Sequence, residues 1–156
     1  MTRAALVIGL GNADRGDDAV GLHIARRLAA CGLPGVTVAE AGGDTLGLLE
    51  RWTGAADVVL VDAAGPAGQP GRIHRLDPSL GPLPRDLALG STHAFGLAEA
   101  VELARTLGLL PRRMAIYAIE AGGFDPGAAL SPAVAAAAVD ATALIVAELR
   151  EGLADA

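Results

Sequence analysis

The chain has 156 residues, of which 52% are hydrophobic and 19% are charged, and its formal net charge is −6. This length and composition predict a single globular domain spanning residues 1–156 rather than a disordered chain. The basic residues are all arginines, and none lies in a run longer than two, so the charge pattern argues against a nucleic-acid partner.

The sequence also bears on location. It has no uninterrupted run of about 18 apolar residues, which a membrane span requires, and its Met-Thr-Arg start lacks the apolar core of a signal peptide. Cys31 is the only cysteine, which excludes a disulfide framework. We therefore expect a cytoplasmic protein without a membrane partner. Because Cys31 follows the apolar stripe of a predicted helix, we expect its thiol to be buried and inert.

Apolar runs alternate with segments of helical periodicity along the chain. The predicted strands are residues 4–10, 36–40, 57–62, 72–76 and 114–120, and the predicted helices are residues 17–30, 45–52, 93–107 and 132–151. Strands separated by helices of this length indicate a parallel sheet that is covered on both faces. The fold class is therefore α/β, in the form of a three-layer αβα sandwich.

One connection is too short for a parallel crossover. Only about eight residues separate strand 57–62 from strand 72–76, whereas a crossover between parallel strands needs about a dozen or more. We therefore predict an antiparallel hairpin between these two strands, with 72–76 at the edge of the sheet. The expected sheet is five-stranded, twisted and mostly parallel, with this one antiparallel edge strand.

The segment 6–21 carries a strand into a glycine-rich turn that ends in two adjacent carboxylates, Asp17 and Asp18. A phosphate site at a helix N-terminus uses bare amides and positive charge. Negative side chains at this position suit a bound cation or a cationic centre on a partner. Asp17 is interpreted as a plain helix cap.

A nucleotide-binding α/β module is the weaker alternative for this turn. Gly9 and Gly11 follow a strand as in the dinucleotide fingerprint, and Glu40 ends the second strand, where a ribose-binding acid would lie. However, Asp14 occupies the position of the third glycine, and three aspartates would repel a pyrophosphate.

Asp18, Asp62 and His93 are predicted to lie on one edge of the sheet. In such a sheet the helix N-termini and the strand C-termini share an edge, which is where ligands bind. Two carboxylates and an imidazole, completed by water, suit a divalent ion such as nickel or zinc. Simpler roles stay open for each residue: a helix cap for Asp18, a turn-stabilising acceptor for Asp62 and a solvated first-turn residue for His93.

The remaining candidates for catalytic chemistry are weaker. His23 lies five residues after Asp18, which rotates it about 140° around the helix and away from the same face. His74 falls in the predicted edge strand, where we expect a structural or solvated role. No Gly-x-Ser-x-Gly elbow is present, so Ser91 is a candidate helix cap and not a nucleophile.

Several motifs, in order along nearly the whole chain, resemble the signatures of the nickel–iron hydrogenase maturation endopeptidases. The matching segments are Gly9–Asn12 with Gly16–Gly21, Gly42–Gly47, Val61–Ala63, Ser91–His93 with Leu97, Ile119–Glu120, and Leu130–Val134. Several motifs in the family's order along the chain identify a family far more specifically than any one of them does.

This resemblance implies an activity. These enzymes remove a short C-terminal peptide from the hydrogenase large-subunit precursor after nickel insertion, and they use the substrate's nickel as a recognition element through two acids and a histidine. Carried onto this chain, these metal-binding and catalytic residues are Asp18, Asp62 and His93. Some family members have Glu where Asp18 stands. The nickel comes with the precursor, and zinc or cadmium can stand in for it in crystals.

The resemblance also indicates where the precursor touches the enzyme. The candidate substrate contacts are Asn12, Gly42, Gly43, Asp44 and Thr45. The glycine-rich turn varies among family members, so the part that Asp44 plays in substrate choice stays open.

We therefore predict an endopeptidase, with a carboxylate or the metal activating the attacking water. A non-catalytic nickel-binding maturation chaperone is the alternative, followed by the nucleotide-binding module.

Overall fold

The computed structural model of the protein describes residues 4–42, 45–84 and 97–152. The strands are β1 (Ala5–Leu10), β2 (Val36–Ala41), β3 (Asp57–Ala64), β4 (Ile73–Leu76) and β5 (Arg113–Glu120). The α-helices are α1 (Val20–Ala30), α2 (Thr45–Trp52), α3 (Leu97–Leu107) and α4 (Pro132–Glu151), and a short 3-10 turn, Gly16–Ala19, leads into α1.

The described strands form a five-stranded sheet in the order β2-β1-β3-β5-β4. β1 pairs in parallel with β2 and β3, β3 pairs in parallel with β5, and only β4 runs antiparallel, against β5. Every residue of β3 and β5 is buried, as expected for central parallel strands covered on both faces. The predicted mostly parallel α/β sheet with an antiparallel edge strand is confirmed.

The predicted hairpin between β3 and β4 is wrong, because β5 lies between them. β5 has eight buried residues and needs a neighbour on each side, whereas β4 has four partly exposed residues and suits an edge. The connection after β3 therefore passes the end of β5. The amide of Ala121 donates to the carbonyl of Ala64, and the amide of Gly71 donates to the carbonyl of Glu120.

The helices cover the sheet in two layers. α1 and α4 pack on one face around a core that includes Val20, Ile24 and Ile145. α2 and α3 pack on the other face around a core that includes Trp52 and Leu97. The three-layer αβα arrangement agrees with the prediction.

Helix α4 is long enough, and with a mean hydropathy of 1.7 apolar enough, to cross a membrane, although polar residues interrupt its apolar sequence. Its buried residues, however, recur with helical spacing along one side: Val134, Ala137, Ala138, Ala141, Ile145 and Leu149. This stripe belongs to the core that α4 shares with α1, so α4 packs as a core helix.

Cys31 is exposed, so the expected buried thiol is wrong. The buried stripe of α1 ends at Leu28, and the helix itself ends at Ala30. Gly32 then takes a φ of 62°, which turns the chain away. Beyond a helix end, the helical period no longer determines which way a side chain points.

Candidate functional site

The candidate site lies where the direction of strand addition reverses. β2 lies on one side of β1 in the sheet, and β3, the next strand along the chain, lies on the other side. In open α/β sheets, ligands bind beyond the carboxyl ends of the strands at such a switch point. The turn after β1, which carries Asp17 and Asp18, starts at this point, and Asp62 lies near the carboxyl end of β3.

Two glycines let this turn lie directly on the ends of β1 and β3. A Cβ atom on Gly21 would lie 2.3 Å from the carbonyl oxygen of Leu10 and 2.5 Å from that of Val61. A Cβ atom on Gly11 would lie 2.0 Å from the carbonyl oxygen of Asp18, and the φ of Gly11 is 147°. Only glycine fits at these approaches, so the glycines of the motif set how closely the turn packs on the sheet.

The structure brings Asp18 and Asp62 to the same corner of the sheet. Asp18 lies three residues before Gly21, which packs on Val61, and Asp62 is the next residue after Val61. Both aspartates are 1% exposed. The Oδ1 atom of Asp62 accepts a hydrogen bond from the amide of Ala63 at 2.8 Å. Two carboxylates buried at one corner offer the oxygen atoms that divalent ions accept as ligands.

β3 continues two residues beyond the predicted end, to Ala64, so Asp62 is not its last residue. The third predicted ligand, His93, lies outside the described residues, as do Gly43 and Asp44. Among the residues that the structure describes, no three His, Cys, Asp or Glu side chains form a group that could hold a metal ion. The three-residue ligand set therefore stays a prediction.

The interpretation of Asp17 as a helix cap is wrong. The 3-10 turn and α1 have no side-chain cap. The Asp17 side chain instead accepts hydrogen bonds from the segment after β5: from the amides of Gly122 at 2.7 Å, Gly123 at 3.3 Å and Ser131 at 2.7 Å, and from the Ser131 hydroxyl at 2.9 Å. Because these donors are more than 100 residues away in the sequence, no local pattern could have revealed them.

Glu120 organises the connection after β3, and sequence reasoning assigned it no such role. Its carboxylate is 2% exposed, and Oε2 accepts hydrogen bonds from the amides of Ala67 and Gln69. Its Oε1 lies 4.0 Å from Nε2 of His74, and this nitrogen has no hydrogen-bond partner among the residues that the structure describes. The sequence did contain one signal of this role, because Glu120 is an acid at the end of a largely apolar strand. His74 thus has a structural environment, as expected.

The remaining described candidates are Asn12, Gly42 and Thr45, which lie in the connections after β1 and β2, and His23, which lies on α1. Asn12 is exposed, and its Oδ1 accepts the amide of Asp14 at 3.1 Å, which shapes the turn after β1. Gly42 is exposed directly after β2, and Thr45 is the first residue of α2. His23 is exposed on α1. Contact of Asn12, Gly42 and Thr45 with a substrate stays a prediction.

Comparison with known proteins identifies the family. The family model described as "HycI: Hydrogenase maturation protease" matches residues 22–148. The chain belongs to the hydrogenase maturation protease family. The match starts after Asp17 and Asp18, so it does not include these two residues.

Solved structures with hydrogenase maturation protease names are similar over nearly the whole chain. The maturating endopeptidase HybD from E. coli is 24% identical with a TM-score of 0.72, and the alignment covers 95% of this chain and 93% of that one. The protease HycI from Thermococcus kodakarensis KOD1 is 23% identical with a TM-score of 0.74, covering 94% and 92%. HybD from Thermococcus kodakarensis is 24% identical with a TM-score of 0.69, covering 92% and 97%.

At this level of identity, the similarity shows that the hydrogenase maturation proteases and this chain share one fold. The comparison with curated proteins found no significant match.

Proposed function

We propose that this member of the hydrogenase maturation protease family is an endopeptidase that removes the C-terminal extension of a nickel–iron hydrogenase large-subunit precursor after nickel insertion. Asp18, Asp62 and His93 would bind the nickel carried by the precursor. The observation that carries the proposal is the pair of carboxylates, each 1% exposed, at the switch point of the sheet. The family match and the ordered motifs support it further.

The chemistry of the pair fits a substrate-borne metal. Carboxylate oxygens bind divalent transition ions, and their burial strengthens the attraction to a cation. An anchored nickel ion would hold the adjoining peptide segment in one orientation, which removes much of the entropic cost of the cleavage step. A carboxylate or the metal would then activate a water molecule for attack on the scissile carbonyl, and the peptide nitrogen would leave with a proton.

A processing assay with nickel-loaded precursor tests this function. We expect wild-type protein to release a fragment that mass spectrometry detects, and we expect Asp62→Asn and Asp18→Asn to slow the cleavage at least about 100-fold. Asp140→Asn is the matched control, because Asp140 is an exposed aspartate on α4. Cleavage at the normal rate by Asp62→Asn would contradict the proposal.

The histidine has its own matched pair. His93→Gln should lose cleavage, whereas His23→Gln should keep it, since His23 is exposed on α1 and helical spacing rotates it away from Asp18. If the wild-type protein bound the loaded precursor and left its mass unchanged, the non-catalytic chaperone would be the better assignment. If it bound a nucleotide with equal affinity in the Asp62→Asn variant, the nucleotide-binding module would be favoured. The cytoplasmic location also stays a prediction.

A further inference from the structure

The two adjacent aspartates of the turn have different surroundings. The Asp17 carboxylate is 2% exposed and accepts four hydrogen bonds, two of them from Ser131 and the others from Gly122 and Gly123. A carboxylate has about four acceptor positions, so that of Asp17 is fully used within the protein. It has little capacity left for a metal or a substrate. The segment 121–131, which supplies all four of these donors, has no Lys or Arg, so it meets the Asp17 carboxylate with neutral N–H and O–H groups.

Main-chain contacts join the same two segments. The amide of Asp17 donates to the carbonyl of Gly123 at 3.1 Å, and the amide of Gly127 donates to the carbonyl of Asp14 at 2.6 Å. Gly16 has a φ of 59°, and a Cβ atom there would lie 3.2 Å from the carbonyl oxygen of Gly123. The turn and the segment after β5 therefore pack as one unit, with the Asp17 carboxylate at its centre.

The position of Asp18 depends on this unit. The carbonyl oxygen of Asp18 lies against Gly11 on the sheet side, where a Cβ atom on Gly11 would come within 2.0 Å of it. Through the neighbouring residue, Asp17, the turn is held to the segment that leads into α4. We propose that Asp17 is a positioning residue whose carboxylate holds the 3-10 turn against residues 122–131 and thereby keeps Asp18 in place to recognise the nickel-loaded precursor. This inference rests on the proposed function.

The first test compares affinities for nickel-loaded and nickel-free precursor. Asp17→Asn keeps the size of the side chain but presents an amide N–H group to donors that need an acceptor. We expect it to reduce the preference for the loaded precursor at least about tenfold, because a shift of about 1 Å in a positioned group costs up to about 100-fold. Ile145→Ala, a core variant distant from the turn, should lower the melting temperature and leave the preference unchanged. An unchanged preference in folded Asp17→Asn overturns the proposal, and so does an equal loss in Ile145→Ala.

The second test does not depend on the proposed function. Amide hydrogen exchange should become at least about tenfold faster at residues 16–19, 122–123 and 131 in Asp17→Asn, while α2 exchanges as in the wild type. Ser131→Ala, which removes one of the four donors, should give a smaller increase at the same amides. Unchanged exchange at residues 16–19 overturns the positioning role. A wild-type protein with no preference for loaded precursor would refute the proposed function instead, and the exchange result would still stand.

Discussion

At the residue scale, glycine and aspartate positions define the corner of the sheet at which the candidate site lies. Gly11 and Gly21 allow the turn to lie on the strand ends, and Asp18 and Asp62 are buried there. Sequence patterns predicted that both aspartates lie near the ends of their elements, because the approximate ends of strands and helices are local features, although β3 continues past Asp62 to Ala64. They gave the wrong role for Asp17, since its hydrogen-bond donors lie on a segment far away in the sequence.

Gly21→Ala should destabilise the protein. A Cβ atom would meet the main-chain oxygens of Leu10 and Val61 at 2.3 and 2.5 Å, and main chain cannot move aside as a flexible side chain does. We expect a loss of at least about 2 kcal/mol in the free energy of unfolding, even though alanine favours a helix. Gly42→Ala is the control, because nothing lies within 4 Å of its Cβ position. Urea unfolding measures both, and equal stabilities would contradict the close packing of the turn.

At the element scale, two ion pairs connect elements of the fold: one joins β3 to β5, and the other joins β4 to α4. Arg113 and Asp57 are paired across the start of β3 and β5 with Nη1 and Oδ1 3.0 Å apart, and both side chains are nearly buried. At the other side of the molecule, Glu148 of α4 binds Arg75 of β4, with Nε and Oε1 2.9 Å apart, and also accepts the hydroxyl of Tyr117. The hydrophobic pattern predicted the elements, but it contains no information about these polar connections.

Arg113→Met should lower the free energy of unfolding by about 3–5 kcal/mol, because it leaves the Asp57 carboxylate buried without its cation. The double variant Asp57→Leu with Arg113→Met removes both charges and should recover most of that loss. Denaturant titrations of the two variants and the wild type measure the difference. A single variant as stable as the wild type would show that the pair makes no net contribution.

The Glu148 network should make stability depend on pH. Burial alone would raise the pKa of the Glu148 carboxyl, but the hydrogen bonds from Arg75 and Tyr117 outweigh it and hold that pKa below its ordinary value of 4.5. A depressed folded-state pKa gives stability that is present above the unfolded-state pKa and is lost as the pH falls through the folded-state value. Glu148→Gln should therefore be less stable than the wild type at pH 7, by a margin that shrinks towards pH 3.

Denaturant titrations at the two pH values check this, with Glu50→Gln, at an exposed site on α2, as the control. A margin that stayed constant with pH would contradict the assignment.

At the alkaline end, burial and the hydrogen bond to Glu148 raise the pKa of Tyr117 to about 12. The ultraviolet absorbance of this single tyrosine should therefore titrate near that value in the folded protein and near pH 10 in denaturant.

At the scale of the whole molecule, one sheet joins two cores. Tyr117 belongs to the core under α1 and α4, and Trp52 belongs to the core under α2 and α3. Because β3 and β5 contribute residues to both cores, neither layer can separate without exposing the sheet. This arrangement is the physical basis for the prediction that residues 1–156 form one domain.

The single-domain prediction has a direct spectroscopic test. Trp52 is the only tryptophan and Tyr117 the only tyrosine, so each reports on one core. Unfolding in urea followed by tryptophan fluorescence and by tyrosine near-ultraviolet circular dichroism should give coincident midpoints. Tyr117→Phe identifies the tyrosine signal. Two separate midpoints would mean that the layers unfold independently.

The sequence by itself determined the order of the elements, the mostly parallel sheet and the edge position of β4. These features follow from periodicity, chain length and strand direction, which are read within a few residues. Only the tertiary structure decided that β5 lies between β3 and β4, that Cys31 is exposed and that Asp17 holds the segment before α4. Each of these depends on which distant segments meet, and that is set by competition for burial and for hydrogen-bond donors across the whole chain.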